Sequence, residues 1–174
     1  MELGMVGLGR MGANMAERLV RGGHRVHGFD LGAAARTSAQ SKGIQTTDAL
    51  ATLVSALPSP RVVWLMVPAG KIVDDTLAQL LPLLQAGDIV IDGGNSYYKD
   101  SQRRAAQLQS SGIAFVDCGT SGGVWGLQEG YSLMVGGDEA ALTTLHPVLA
   151  TLAPAPDKGW GRVGPSGAGH FTKM

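Results

Sequence analysis

The stretch Leu3-Gly4-Met5-Val6-Gly7-Leu8-Gly9-Arg10-Met11-Gly12-Ala13-Asn14-Met15-Ala16-Glu17-Arg18-Leu19 decides the fold. Leu3 to Leu8 is a short apolar run that ends in glycines, the pattern of a buried strand. Met11, Met15 and Leu19 then repeat every four residues, the spacing of one helix face. Between the two lies G-x-G-x-x-G. Gly7 permits the tight turn, Gly9 leaves the backbone open to an approaching group, and Gly12 lets the helix pack closely on the strand. Gly22-Gly23 stops the helix, and Arg25 to Asp30 reads as a second strand. Together they form a strand–helix–strand unit.

The alternation continues outward. Val62 to Val67 is a continuous apolar run closed by Pro68, and Ile72 to Leu84 has helical periodicity that Pro82 must kink or end. Ile89-Val90-Ile91 is another buried strand. Ser101 to Gln109 reads as a polar, exposed helix. Ile113 to Val116 and Tyr131 to Val135 are strands, and Asp138 is placed to cap a helix running towards Leu152. Pro154 to Gly164 reads as a loop. Strands separated by helices of this length imply an α/β fold, doubly wound, with a mainly parallel sheet and helices on both faces. Residues 1–164 form one dinucleotide-binding unit on this reading. Residues 165–174 read as the first turn of a helix leading into a further, absent domain.

Composition narrows the chemistry. The 174 residues include 26 glycines, about 15% against a usual ~7%, and these cluster in turns between apolar runs rather than in a disordered tract. The formal net charge is zero and no basic stretch stands out, which argues against a nucleic-acid partner. No basic leader and no long apolar run is present, so neither a signal peptide nor a membrane span is expected. The single Cys118 cannot close an internal disulfide, which fits a reducing cytoplasm. The four histidines lack metal-ligand spacing, so no metal is expected.

The start of the first helix offers free N–H groups and a positive dipole end to phosphates. Asp30, at the end of the second strand, is placed to accept hydrogen bonds from adenosine hydroxyls and to repel a 2′-phosphate, which points to NAD in preference to NADP. Arg36 lies too far along to offset this unless the loop folds back. The structural alternatives are a plain turn and an Asp30 that only caps. Asn95 follows the C-terminal end of a strand, where an amide can both donate and accept, although Gly-Asn-Ser is also a common turn string. Ser121-Gly122-Gly123 can form a nest of donors for a carboxylate, or a purely structural turn. Cys118 reads as a small buried residue. Trp64 and Trp125 read as packing residues.

The chain resembles the β-hydroxyacid dehydrogenase superfamily through Gly7-Leu8-Gly9-Arg10-Met11-Gly12-Ala13-Asn14-Met15-Ala16 and Gly22-Gly23-His24. It is similar to the 6-phosphogluconate dehydrogenase branch through Asp92-Gly93-Gly94-Asn95-Ser96, Gly119-Thr120-Ser121-Gly122-Gly123-Val124-Trp125-Gly126 and Gly167-Ala168-Gly169-His170-Phe171-Thr172-Lys173-Met174. Asp30 and Trp64-Leu65-Met66-Val67-Pro68-Ala69-Gly70 resemble the shorter, NAD-preferring bacterial members. The resemblance implies a Rossmann-like fold. It implies cofactor contacts at Gly7, Leu8, Gly9, Arg10, Met11, Gly12, Asp30, Val67, Pro68, Ala69 and Asn95. Asn95, Ser121, Gly122 and Gly123 would hold the sugar acid, and Lys173 would be the general base and acid of an oxidative decarboxylation, with Asn95 beside it. In the family an Asn-Gly-Ile-Glu-Tyr stretch follows the lysine, its glutamate protonates the enol, and a helical domain supplies the oligomer interface and most sugar-phosphate contacts. None of this lies within the 174 residues. Two other readings stay open: a relative acting on gluconate or a small 3-hydroxy acid, and a dinucleotide-binding module without chemistry.

Overall fold

The computed structural model describes residues 1–174. In chain order the elements are β1 (Glu2–Val6), α1 (Arg10–Arg21), β2 (Arg25–Phe29), α2 (Ala33–Gln40), β3 (Gln45–Thr47), α3 (Leu50–Ser55), β4 (Val62–Leu65), α4 (Lys71–Leu80), β5 (Ile89–Asp92), α5 (Tyr98–Gln109), β6 (Ala114–Ser121), α6 (Gly126–Glu129), β7 (Ser132–Gly136), α7 (Glu139–Leu152), β8 (Trp160–Gly164) and α8 (Ala168–Lys173). The strands form one eight-stranded sheet in the order β3-β2-β1-β4-β5-β6-β7-β8. Every pairing is parallel except β6 with β7. The Rossmann-like, mainly parallel doubly wound fold is therefore present. Its strand order reverses at β1 and β4, the position where such sheets open a crevice for ligands.

Period-2 alternation divides the core between the two faces. Leu3, Met5, Val62, Trp64, Ile89 and Ile91 pack with residues of α1 and α7 in one apolar cluster. Val6, Val63, Leu65 and Val90 pack with α3, α4 and α5 in the other. Strands buried on both faces have no polar side to present, which is why they read as unbroken apolar runs.

Several sequence expectations need correction. The stretch expected as a loop, residues 154–164, ends in β8, which pairs with β7. Its glycine-punctuated Trp160-Gly161-Arg162-Val163-Gly164 carries no strand pattern of its own, and β7 supplies the pairing. The helix expected to be exposed, α5, buries Ser101, Arg104 and Leu108. Trp64 is fully buried as expected, but Trp125 is 66% exposed and packs little. Asp138 stands at the N-cap of α7 yet makes no side-chain capping bond. Helix α4 stops at Leu80 and passes into a 3-10 turn containing Pro82. Helices α2 and α3 and the short edge strand β3 had no clear sequence signal.

Two arginines tie distant segments together. Arg18 of α1 donates to the carbonyls of Thr151, Leu152, Leu127, Gln128 and Ala153, so the first helix is pinned to α6 and the end of α7. Arg104 is fully buried. Its Nε donates to Asp74 at 2.9 Å, its Nη2 donates to the Gly70 carbonyl at 3.1 Å, and its Nη1 lies 3.7 Å from the equally buried Asp92 carboxylate. Asp92 in turn accepts from Gly94 N at 3.0 Å and from the Ser96 hydroxyl. The turn after β4 and the turn after β5 are thus held to one guanidinium.

Arg104→Met keeps the apolar stem and removes the cation, leaving Asp92 buried without a counter-charge. The expected loss is about 3–5 kcal/mol, the usual result of removing one partner of a buried pair. Urea unfolding with an unchanged slope measures it. A loss below ~1 kcal/mol would show that Gly94 and Ser96 alone satisfy Asp92.

Candidate functional site

The three glycines of the β1–α1 turn are glycines for different reasons. Gly7 has φ +98°, and a β-carbon there would overlap the Met66 carbonyl. A β-carbon on Gly12 would overlap the Gly7 carbonyl. Both are required by packing. Gly9 is different: its φ is −64°, open to any residue, and a β-carbon would meet nothing within 4 Å. The fold gives no reason for a glycine at position 9, and the space beside it is free for a ligand. Helix α1 starts there with no side-chain cap and no acid in its first turn, so its leading N–H groups remain available to an anion.

Asp30 closes this turn on the other side. Its carboxylate accepts from Leu8 N at 2.9 Å and from Gly32 N at 2.7 Å. Each oxygen keeps one further acceptor direction. Arg36 does fold back: its Nη1 donates to the carbonyls of Asp30 (2.7 Å) and Leu31 (3.0 Å), which holds the guanidinium against the backbone of that turn. Gly7, Phe29, Asp30, Leu31, Val67 and Ile72 line a cavity of about 170 Å3. Pro68 and Ala69 lie exposed on the turn beyond β4. A second cavity, about 260 Å3, lies against Arg10, Met11, Asn14, Gly123 and Val124, so the Ser121–Gly123 turn faces the start of α1.

The third cavity, about 290 Å3, is bounded by Asn95, Ser96, Tyr97, His170, Lys173 and Met174. Asp92 fixes the flanks of the β5 turn through Gly94 and Ser96, and Asn95 between them stays exposed. Lys173 Nζ donates to Asn95 Oδ1 at 2.5 Å, bridging 78 residues of sequence. The Lys173 stem lies against Gly119, where a β-carbon would come within 2.7 Å of Lys173 Cβ. Ser121 lies two residues farther along the same face of β6. Gly122 and Gly126 sit tight against the ring of Tyr131, which supports the turn from beneath. The buried Cys118 thiol is pushed up to about 12, with desolvation as the largest cause, so it is a packing residue rather than a nucleophile.

The sequence-derived residues therefore fall into two neighbouring groups along the C-terminal edge of the sheet. The glycine turn and Asp30 form one, with the Ser121–Gly123 turn facing it across the start of α1, and Asn95 and Lys173 form the other. The segment read as the first turn of a helix is α8, a six-residue helix packed on β6 and β7. Ser101, Arg104 and Asp117 carry no local signal of their roles, and Asp92 and His170 stand within the quoted motifs without a role of their own. The nearest hints are the presence of an acid inside the apolar run Phe115–Cys118 and of a histidine one helical turn before Lys173.

Residues 2–161 match the family described as the NAD binding domain of 6-phosphogluconate dehydrogenase. The NAD(+)-dependent, decarboxylating 6-phosphogluconate dehydrogenase of Haloferax volcanii is 47% identical over 174 residues, covering 100% of this chain and 57% of that protein. A putative 6-phosphogluconate dehydrogenase of Bacillus subtilis is 41% identical, covering 100% of this chain and 58% of that one. Among solved structures, Plasmodium falciparum 6-phosphogluconate dehydrogenase superposes with TM-score 0.94 at 26% identity, over 100% of this chain and 39% of that one. Mycobacterium tuberculosis 3-hydroxyisobutyrate dehydrogenase superposes with TM-score 0.89 at 31% identity, over 99% and 57%. The chain thus spans a little over half the length of the first two relatives.

Gly9→Ala separates fold from binding. Its stability should stay within about 0.5 kcal/mol of the parent. NAD affinity should fall at least ~10-fold, because the methyl occupies the side on which a pyrophosphate approaches. Calorimetric titration beside a thermal melt reads both. Unchanged affinity would remove the glycine turn from the cofactor site.

Proposed function

The chain belongs to the family of NAD-binding domains of 6-phosphogluconate dehydrogenase, and from that premise we propose that it is the cofactor-binding part of an enzyme that oxidises 6-phosphogluconate at C3 and decarboxylates it to ribulose 5-phosphate. The observation that carries this reading is the Lys173–Asn95 hydrogen bond over a cavity at the turn after β5, on the same C-terminal edge of the sheet as the glycine turn. A base, an amide and a dinucleotide cradle in one crevice are what oxidation of an alcohol by hydride transfer requires.

The residues present fit the cofactor. The open side of Gly9 and the uncapped start of α1 accommodate the pyrophosphate, Asp30 takes the ribose hydroxyls, and Val67, Pro68 and Ala69 flank the path towards Asn95. When bound, NAD supplies the hydride acceptor. Lys173 takes the proton of the C3 hydroxyl and later returns one. Because Asn95 Oδ1 already accepts from Lys173, its Nδ2 hydrogens remain to donate to a substrate hydroxyl. The Ser121 hydroxyl and the N–H groups of Gly122 and Gly123 hold the carboxylate that leaves as carbon dioxide. The acid that protonates the enol and the contacts to the sugar phosphate belong, on this reading, to the helical domain of a longer protein, which also carries its oligomer interface.

NAD is the preferred cofactor on this reading. A 2′-phosphate about 4 Å from Asp30 would cost roughly 4 kcal/mol at an effective dielectric of 20, and half of that is about 30-fold. Arg36, folded against the Asp30 carbonyl, opposes this repulsion. Calorimetry should therefore show NAD binding more tightly than NADP by up to about 30-fold, and Arg36→Ala should widen the gap. Equal or tighter NADP binding would overturn the role given to Asp30.

The 174-residue chain should bind NAD yet show no oxidative decarboxylation of 6-phosphogluconate, because on this reading the phosphate contacts that contribute to transition-state binding belong to the remainder of a longer protein. The assay follows NADH absorbance. Robust turnover would show that the essential groups have been misassigned.

A further inference from the structure

Lys173 needs an explanation for its position. It is exposed, near the end of a six-residue helix, and isolated helices shorter than ~12 residues are marginal in water. Helix α8 starts at Gly167 with φ +100° and has no side-chain cap from its own sequence. Its geometry must come from elsewhere in the fold.

It comes first from β6. Asp117 is fully buried in mid-strand, and its carboxylate points at the start of α8. Oδ1 accepts from Gly167 N at 2.6 Å and Oδ2 accepts from His170 N at 2.8 Å. One planar group thereby binds the N-cap residue and the third residue of the helix, which fixes both the depth and the rotation of its first turn. Gly169 lets the helix approach until it lies against the carbonyls of Met134 and Asp117. The Ser166 hydroxyl donates to the Phe115 carbonyl at 2.7 Å, fixing the entry to the helix on the same strand.

A second tie runs to α5. The His170 ring is buried and its Nδ1 lies 2.7 Å from the Ser101 hydroxyl. Helix α5 begins at Tyr98, directly after the turn that holds Asn95. Helix α8 is thus tied to the strand that ends in Ser121 and to the helix that follows Asn95. Lys173 stands three residues, about one turn, beyond His170 on the same side.

We propose that Asp117 and the Ser101–His170 pair are positioning residues that set Lys173 against Asn95. They act on Lys173 through α8. The choice of a remote carboxylate is informative. Burial raises the Asp117 carboxyl above its ordinary range, with desolvation as the largest cause. A serine at the N-cap could accept from His170 N but not from its own N–H, would be strained at φ +100°, and would not fix the helix to β6. The role in turnover rests on the dehydrogenase reading above; the geometric claim about Lys173 does not.

The test uses the 174-residue chain and no turnover, so failure of this proposal and failure of the dehydrogenase reading are told apart. Three variants are compared: Asp117→Asn, Ser101→Ala and His170→Asn, the last keeping a side-chain nitrogen or oxygen near the Nδ1 position. NMR reads amide exchange along α8 and the ammonium resonance of Lys173, and calorimetry reads NAD affinity. In Asp117→Asn the α8 amides should lose at least about tenfold protection, the expected result of losing charge-assisted bonds to a buried acceptor. The Lys173 resonance should move to the position of free surface lysines, with NAD affinity nearly unchanged. Ser101→Ala should move the Lys173 resonance in the same direction by less, and His170→Asn should move it least. An unmoved Lys173 resonance in both Asp117→Asn and Ser101→Ala overturns the proposal. If Asp117→Asn fails to fold, Ser101→Ala decides: a moved resonance supports the latch, and an unmoved one overturns it.

Discussion

Two backbone carbonyls stand where side chains would otherwise be, and the crevice depends on them. The Met66 carbonyl fills the place of a β-carbon on Gly7, and the Gly7 carbonyl fills that of Gly12. These approaches bring α1 down onto the ends of β1 and β4, where the strand order reverses. Only a residue without a side chain tolerates either contact. With α1 seated, its uncapped start faces outward, and Asp30 can reach Leu8 N across the turn. The open, uncapped start of α1 is therefore a by-product of close packing, with Gly9 as the one glycine of the turn left free of packing duties.

The second half of the site is organised by buried charge rather than by absent side chains. Asp92 and Asp117 occupy paired positions on adjacent strands, one pairing in register with the other. Each turns its carboxylate to a different element. Asp92 secures the turn bearing Asn95 and meets Arg104, whereas Asp117 receives the start of α8. Burying two acids side by side is costly unless each is satisfied by donors. The donors they use belong to the segments that carry the two polar groups of the crevice.

This division explains what the sequence disclosed. The glycine turn, Asp30 and the alternation of strands and helices are local patterns, legible because their periods and spacings lie within about thirty residues. Asn95 is legible from its place past a strand end and Lys173 only through family resemblance, and their contact spans 78 residues. The supporting residues were not legible. Arg104 meets Asp74 across 30 residues, Asp117 meets His170 across 53, and Ser101 meets His170 across 69. A polar side chain whose partner is that distant looks like an exposed one, which is why α5 was read as a solvent-facing helix. Strand β8 was missed for a related reason, since its pairing with β7 rather than its composition makes it a strand.

Arg18 joins the beginning of the chain to its last third, through carbonyls 109 to 135 residues away. Five acceptors converge on one guanidinium, and none of them exists as a site until α6 has turned and α7 has run its full length. Helix α1 can form early, because its own hydrogen bonds are local. Its final seat cannot be taken until residues beyond 150 are in place. Contacts of such long sequence separation slow folding, because the intervening loop must be closed before they contribute. On a ribosome the glycine turn would thus emerge first and be locked last, with the nucleotide crevice completed only as the distal carbonyls arrive.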